Sequence, residues 1–253
     1  MSAISASLAD STTMLRRNFR HTMRNPLTLF NAIIMPIFVM FLMVYVLGGA
    51  FSVGTNYVDY VTPGLIMMTI GYGVSSTAIA VSSDMTTGFI NRLRVMDVSR
   101  AAVLNAHVIA TMLRSLVAIA FIIGVAFLMG FRPSASFTEW LGVIGIVMLA
   151  VLAIGWLTVA FGLAAKTPES AGLAAVPLML LPFLSSAFVP AGKMGAGARQ
   201  FAEYQPFTPI IETLRGLLTG APSAGSAIAA IAWCVGLTLI GYLWARASFT
   251  KRA

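Results

Sequence analysis

The side chains that could carry acid–base or metal chemistry in this sequence are few and far apart. Two histidines, one cysteine and eight acidic residues are spread over 253 positions. A metal site needs three or four Cys, His or acidic ligands close together, and nucleophilic catalysis needs a base within hydrogen-bond reach of the nucleophile. His21 and His107 both lie near the same predicted end of the apolar runs, and no serine within a run has a histidine at matching depth. The sequence therefore predicts neither a metal site nor a catalytic site.

The nearest approach to a nucleotide-binding motif is Gly192-Lys193. In a phosphate-binding loop another glycine stands five residues before that glycine, and serine or threonine follows the lysine. This chain has Ala187 and Met194 at those positions, so we predict that it does not hydrolyse ATP by itself. The apolar runs also lack a series of acidic residues that could relay protons or sodium ions, which argues against a secondary transporter.

Most of the sequence consists of apolar runs long enough to cross a bilayer. The chain is 58% hydrophobic and 9% charged, whereas soluble proteins are about 25% charged. A hydrocarbon core about 30 Å thick requires about 20 apolar residues in a helix. Six runs meet this requirement: Leu27–Leu47, Tyr60–Ser82, Val103–Met129, Trp140–Ala164, Ala171–Val189 and Ala224–Trp244. We therefore predict an all-α polytopic membrane protein with six transmembrane helices and one domain, comprising a cytoplasmic amphipathic segment (1–26), a helical bundle (27–245) and a tail (246–253).

The distribution of basic residues predicts the orientation of this bundle. One predicted side carries Arg16, Arg17, Arg20, Arg24, Arg92, Arg94, Arg100, Lys166, Arg246, Lys251 and Arg252, and the other carries Arg132, Lys193, Arg199 and Arg215. Lysine and arginine are enriched in cytoplasmic loops, so both termini are predicted to be cytoplasmic, in the cell (plasma or inner) membrane. The net charge of +8 is then a topology signal with some attraction to anionic lipid, and no nucleic-acid partner is expected.

The N-terminal segment allows three interpretations. Leu15, Phe19 and Met23 recur at four-residue spacing among arginines, which is typical of an amphipathic helix on the cytoplasmic face; a frayed tail is the alternative. A cleaved signal peptide fits less well, because the first apolar run exceeds the 7–15 residues of a signal core. We expect the segment to remain attached.

Two charged residues lie within or beside the apolar runs. Asp59 is at the predicted outer edge, and Arg114 lies about eleven residues into the third run. A charge inside a membrane is by default a functional hypothesis. Arg114 could instead extend its side chain to the cytoplasmic interface.

Two loops show helical spacing. In the cytoplasmic loop 84–100, Phe89, Leu93 and Met96 share one side, which predicts an amphipathic docking helix; a solvated loop is the alternative. In the outer connection, Thr208-Pro209 is a helix start, and an apolar stripe follows at Ile210, Ile211, Leu214, Leu217 and Leu218. We predict two short helices at or dipping into the outer interface, with a plain surface loop as the alternative.

Five strings of residues carry a resemblance to a known family. They are Tyr57–Gly64 (YVDYVTPG), Asn91–Leu104 (NRLRVMDVSRAAVL), Leu184–Pro190 (LSSAFVP), Phe201–Pro206 (FAEYQP) and Leu214–Leu217 (LRGL). Together they resemble the permeases of ABC-2-type transporters, above all those of the daunorubicin/doxorubicin-resistance type. The resemblance covers almost the whole chain in matching order and spacing.

This resemblance implies a permease that exports a substrate as a dimer, with a second copy or a paralogue, together with two copies of a separate ABC ATPase subunit. ATP and Mg would bind to that partner, and none to this chain. The implied coupling helix spans Thr87–Met96, and the implied connecting helix Met14–Met23. The coupling residues would be Thr87, Phe89, Asn91, Arg92, Leu93, Arg94 and Met96. The outer re-entrant segment would include Phe201, Tyr204, Pro206, Leu214 and Arg215. One departure is Thr86–Ile90, where family members often carry acidic residues, so the partner's complementary surface is expected to differ.

Methionine and aromatic side chains in the apolar runs suggest a path for a hydrophobic drug-like or lipid-like substrate, since such surfaces adapt to variable shapes. We predict that the path follows the interface between two permease copies and is lined by Phe38, Met67, Met68, Tyr72 and Phe183. Helix packing and lipid contact are the alternative explanation of these residues. Alternatives for the whole chain are a non-transporting membrane scaffold, a secondary transporter and an intramembrane enzyme, in that order.

Overall fold

The protein is all-helical in the part described by a computed structural model, which covers residues 26–50, 53, 56–87 and 100–252. Its α-helices are α1 (Pro26–Phe41), α2 (Tyr57–Thr86), α3 (Arg100–Leu128), α4 (Phe137–Ala164), α5 (Pro168–Leu180), α6 (Ala196–Tyr204), α7 (Phe207–Leu218) and α8 (Ala224–Arg252). A π-helical turn, Leu42–Leu47, and a 3₁₀ turn, Gly48–Ala50, extend α1. A 3₁₀ turn, Leu181–Leu184, extends α5.

Five stretches in this described part are long and apolar enough to cross a membrane. They are Ile33–Ala50, Tyr57–Thr86, Leu104–Leu128, Phe137–Ala164 and Ala224–Lys251. They correspond to five of the six predicted spans. An all-helical fold with several apolar helices of membrane-spanning length therefore agrees with the sequence-based prediction at this coarser level.

The fifth predicted span, Ala171–Val189, takes a different form. The apolar helix here is shorter, Pro168–Leu184, and a turn follows in which the N–H and hydroxyl of Ser185 both donate to the carbonyl of Pro182. Because Pro182 has no N–H, it cannot form the regular helical hydrogen bond, and the last turn tightens. The six-helix topology thus rests on counting this shorter helix as a span.

Local sequence signals account for where several helices begin. Ser136 and Glu139 form reciprocal hydrogen bonds at the start of α4, and Thr167 and Ser170 do the same at the start of α5. Such capping boxes satisfy backbone N–H groups that lack partners in the first helical turn. The side chain of Asn56 accepts from the N–H of Val58 at the start of α2.

The core is built around α2 and α4. Helix α2 packs against α1, α3, α4, α5 and α7, and α4 packs against α2, α3, α5, α7 and α8. Glycines permit several close approaches, and two of the closest involve α2. A Cβ atom on Gly64 would lie 2.5 Å from the Cβ of Ala187, and one on Gly162 would lie 2.7 Å from the carbonyl oxygen of Ala78. The bundle therefore depends on small residues at these crossings.

Candidate functional site

The predicted coupling segment, Thr87–Met96, follows α2 and precedes α3 in the sequence. Thr87 caps the C-terminal end of α2, where its N–H and its hydroxyl both donate to the carbonyl of Ser83, at 2.9 and 2.8 Å. The other predicted coupling residues, Phe89, Asn91, Arg92, Leu93, Arg94 and Met96, lie outside the described residues. So do the predicted connecting helix Met14–Met23 and the rest of the N-terminal segment. Their roles stay predictions.

A buried polar pair joins the two helices that flank this segment. Nε2 of His107 on α3 lies 3.1 Å from Oδ2 of Asp84 on α2, and the two side chains are only 8% and 14% exposed. The pair holds the end of α2 against the start of α3. Sequence analysis gave neither residue a role, because they are 23 positions apart and no motif connects them. Among the residues that the structure describes, no three His, Cys, Asp or Glu side chains come together as a metal site.

A second polar cluster lies further into the bundle. The hydroxyl of Thr111 donates to the carbonyl of His107 at 2.8 Å, and the hydroxyls of Thr111 and Thr77 are 2.9 Å apart. Nη2 of Arg114 donates to the Thr77 hydroxyl. The Arg114 side chain is half-buried, and its Nε is buried with no hydrogen-bond acceptor. Arg114 is thus engaged with a neighbouring helix in the middle of the bundle.

At the predicted outer end, α7 lies against the bundle as the apolar stripe predicts. Ile210, Ile211, Leu214 and Leu218 are all at most 2% exposed, and α7 packs against α2, α4, α6 and α8. The helix begins one residue before the predicted Thr208 and ends before Gly220, whose φ of +69° is favourable for glycine. Pro206, directly before α7, is half-buried. Insertion of this segment into a membrane stays a prediction.

Arg215 makes the most extensive set of contacts at this end. Its Nε donates to the carbonyl of Tyr60 at 3.2 Å, and its Nη2 donates to the carbonyl of Ser186 at 2.8 Å. Its Nη1 donates to Oε1 of Glu212 at 2.5 Å. The guanidinium carbon also lies 3.8 Å from the centre of the Tyr60 ring, a cation–π geometry. We call Arg215, Tyr60, Ser186 and Glu212 the Arg215 clamp, because it fastens α7 to α2 and to the chain after α5.

Further hydrogen bonds join the same three parts of the chain. The hydroxyl of Tyr60 donates to the carbonyl of Ser186 at 2.9 Å, and that of Tyr57 donates to the carbonyl of Phe188 at 3.2 Å. The N–H of Ser186 donates to the hydroxyl of Thr208 at 3.3 Å. Tyr57–Gly64 and Leu184–Pro190 are two of the strings that carry the family resemblance. The sequence did not indicate that these two strings contact each other.

The predicted substrate-path residues differ in their exposure. Met67 and Met68 are fully buried in the core, because α2 is surrounded by five other helices. In this conformation they cannot contact a second copy. Phe38 on α1 is 57% exposed and Phe183 is 38% exposed, whereas Tyr72 is half-buried. On α6, Phe201 and Tyr204 are exposed.

Comparison with known proteins gives a consistent set of relatives. The sequence model of the family described as "ABC-2 type transporter" matches residues 11–219. The chain is 27% identical to the daunorubicin resistance ABC transporter permease protein DrrB1 of Streptomyces coeruleorubidus, over 85% of this chain and 74% of that protein. It is 26% identical to the probable doxorubicin resistance ABC transporter permease protein DrrC of Mycobacterium tuberculosis, over 86% and 79%. It is also 27% identical to the putative transport permease ycf38 of Porphyra purpurea, over 80% and 71%.

Proposed function

This chain belongs to the ABC-2 type transporter family, and we propose that it is the transmembrane subunit of an ATP-driven exporter. The observation that carries the proposal is the family match over residues 11–219, together with relatives named as drug-resistance permeases. The chain is a multi-pass membrane protein by family and by its apolar helices. The substrate we propose is hydrophobic and drug-like or lipid-like, and it would leave the cell.

The energy for export would come from a separate ABC ATPase subunit, present in two copies, which binds ATP and Mg. The segment Thr87–Met96 would dock on this partner. Its position supports this role: it connects α2 to α3, and the Asp84–His107 pair joins those helices next to it. ATP binding to the ATPase subunits would draw together the Thr87–Met96 segments of the two permease copies. This movement would shift the helical bundles from an inward-open to an outward-open state.

Charge reversal of the docking segment tests this function. We expect Arg92→Glu and Arg94→Glu together to abolish ATP-dependent efflux from vesicles that contain this chain and its ATPase, because the pair would repel an acidic docking surface. Efflux and co-purification of the ATPase are the two measurements. The matched control is Arg246→Glu with Lys251→Glu, which reverses two exposed charges on the same predicted side and should leave efflux intact. Normal efflux and normal co-purification in the Arg92/Arg94 variant would contradict the docking role.

We propose six transmembrane helices in the cell membrane with both termini in the cytoplasm. The shorter helix Pro168–Leu184 would be the fifth span. Two hydrogen bonds support this arrangement. The backbone N–H of Arg132, between α3 and α4, donates to Oδ1 of Asp59 on α2. The backbone N–H of Ser134, in the same loop, donates to the carbonyl of Leu218 on α7. The loop between α3 and α4, the start of α2 and the end of α7, all predicted to lie outside, thus meet at one end of the bundle.

Cysteine labelling tests the topology. In a Cys234→Ala background, Ser2→Cys should react with a membrane-impermeant maleimide only after the cells are opened, whereas Ser223→Cys should react in intact cells. The two positions lie on opposite sides in the six-span arrangement, and Ser223 is exposed. If both cysteines react from the same side, the arrangement is wrong.

We propose that the substrate path runs along the seam between two permease copies. Phe38, Tyr72 and Phe183 remain as lining residues, since Met67 and Met68 lie beneath the surface in this conformation. With native Cys234 replaced, Phe38→Cys or Phe183→Cys should crosslink two copies, and a transported substrate should slow that reaction. Cysteine at buried Met67 is the matched control and should not crosslink in this state. Failure of both exposed positions in an active dimer would place the seam elsewhere.

A further inference from the structure

The positive charge of Arg114 has no acidic partner in the described part of the chain. Arg114 is the midpoint of α3 (Arg100–Leu128), and its guanidinium stays protonated in proteins. Its hydrogen-bond partner is the neutral hydroxyl of Thr77. The acidic residue on the neighbouring face, Asp84, is paired with His107. The other acidic residues that the structure describes lie at helix starts or on α6 and α7: Asp59, Glu139, Glu169, Glu203 and Glu212.

The guanidinium also does not reach the polar end of the bundle. It lies beside Thr77, which is seven residues from Asp84 along α2, a distance of about 10 Å at 1.5 Å per residue. The Arg114 guanidinium carries five N–H bonds, so one hydrogen bond to a hydroxyl leaves most of these donors unused. Its Nε is buried without an acceptor. A charged side chain at this depth is costly unless an opposite charge or hydrogen-bond acceptors compensate it.

The surroundings of Arg114 suit a ligand with a charged head and an apolar body. The side chain is half-buried, so part of it reaches the surface of the chain. On the adjoining face of α3, Ile109, Leu113 and Val117 are 40–48% exposed. They provide an apolar surface for a hydrocarbon chain, beside a cation that lies among hydroxyl groups.

We infer that Arg114, which the buried Thr77 hydroxyl holds in place, forms a binding site for the phosphate or carboxylate group of an anionic amphiphile that reaches it from the side of the bundle. The planar guanidinium fork matches the oxygen atoms of both groups. Such a ligand would supply the missing negative charge and acceptors for the unused N–H groups. This site goes beyond the proposed function and does not depend on the ATPase partner. An anionic lipid headgroup and a free anionic amphiphile share this chemistry.

The test uses the full-length chain in nanodiscs and has two arms. In the first, the melting temperature is compared in phosphatidylcholine with and without phosphatidylglycerol. In the second, dodecyl phosphate or uncharged dodecanol is titrated into phosphatidylcholine nanodiscs, and affinity is obtained from the shift in melting temperature. Arg114→Gln removes the charge, Arg114→Lys keeps the charge without the fork, and Arg246→Gln removes an exposed cation as the matched control.

We expect dodecyl phosphate to bind about tenfold more weakly to Arg114→Gln than to the wild type, since a charged hydrogen bond contributes about 1.5–3 kcal/mol and each 1.4 kcal/mol is tenfold. Arg114→Lys should bind with intermediate affinity, and Arg246→Gln should bind like the wild type. Loss of the phosphatidylglycerol response in Arg114→Gln identifies the lipid headgroup as a ligand, and loss of dodecyl phosphate binding alone identifies a free amphiphile. Equal responses of wild type and Arg114→Gln in both arms, or an equal loss in Arg246→Gln, would overturn the site.

Discussion

Substituting aspartate for Leu214 is expected to destabilise the folded protein strongly. Leu214 is 0% exposed and belongs to the main hydrophobic core, where α7 meets α2, α4 and α8. A carboxylate there would be buried without a partner, and an uncompensated buried charge costs about 3–5 kcal/mol, a large part of the 5–15 kcal/mol that stabilises a typical domain. The measurement is the yield of monodisperse protein after detergent extraction, together with its melting temperature.

A matched control for this variant is available on the preceding helix. Tyr204 on α6 is 80% exposed, so Tyr204→Asp places the same charge on the same predicted outer segment without burying it. This variant should be extracted in normal yield and melt like the wild type. A stable, monodisperse Leu214→Asp protein would show that α7 is not packed against the tops of the long helices.

Replacing Arg215 with methionine is expected to lower stability by about 3 kcal/mol, because it removes hydrogen bonds from a charged group that is mostly buried. Methionine keeps most of the side-chain volume but leaves the Tyr60 carbonyl without the Arg215 donor and Glu212 without its cation. Arg215→Lys should recover only part of the loss, since a single ammonium group cannot reproduce the planar fork that contacts three acceptors. Thermal unfolding of the purified protein measures the effect.

Arg199 offers the comparison that separates burial from charge. Its Nε lies 2.7 Å from Oε1 of Glu203, but its side chain is 53% exposed, whereas that of Arg215 is 11% exposed. Exposed ion pairs contribute little to stability because water and salt screen them, so Arg199→Met should change the melting temperature little. Equal effects of Arg199→Met and Arg215→Met would mean that the Arg215 clamp does not fasten α7 to the bundle.

The sequence alone predicted the class of the protein and the family to which it belongs. Long apolar runs predict helices of membrane-spanning length because the thickness of the hydrocarbon core fixes how many apolar residues a helix needs. Five of six predicted spans correspond to such helices. The exception follows from Pro182, which interrupts regular hydrogen bonding near the end of the fifth run. The apolar stripe of α7 was likewise predictable, because the helical spacing of its apolar residues is a local property of the sequence.

Which side chains meet across the bundle was decided only by the tertiary structure. Arg215 contacts Tyr60, 155 positions earlier in the chain, and Tyr60 contacts Ser186, 126 positions later. Met67 and Met68 have the composition of an adaptable surface, yet they lie in the core because five helices surround α2. Hydropathy records only that a side chain avoids water, and both lipid and the protein interior satisfy that requirement. Packing of the helices determines which of the two each residue meets, and it also places Arg114 beside Thr77 without an acidic partner.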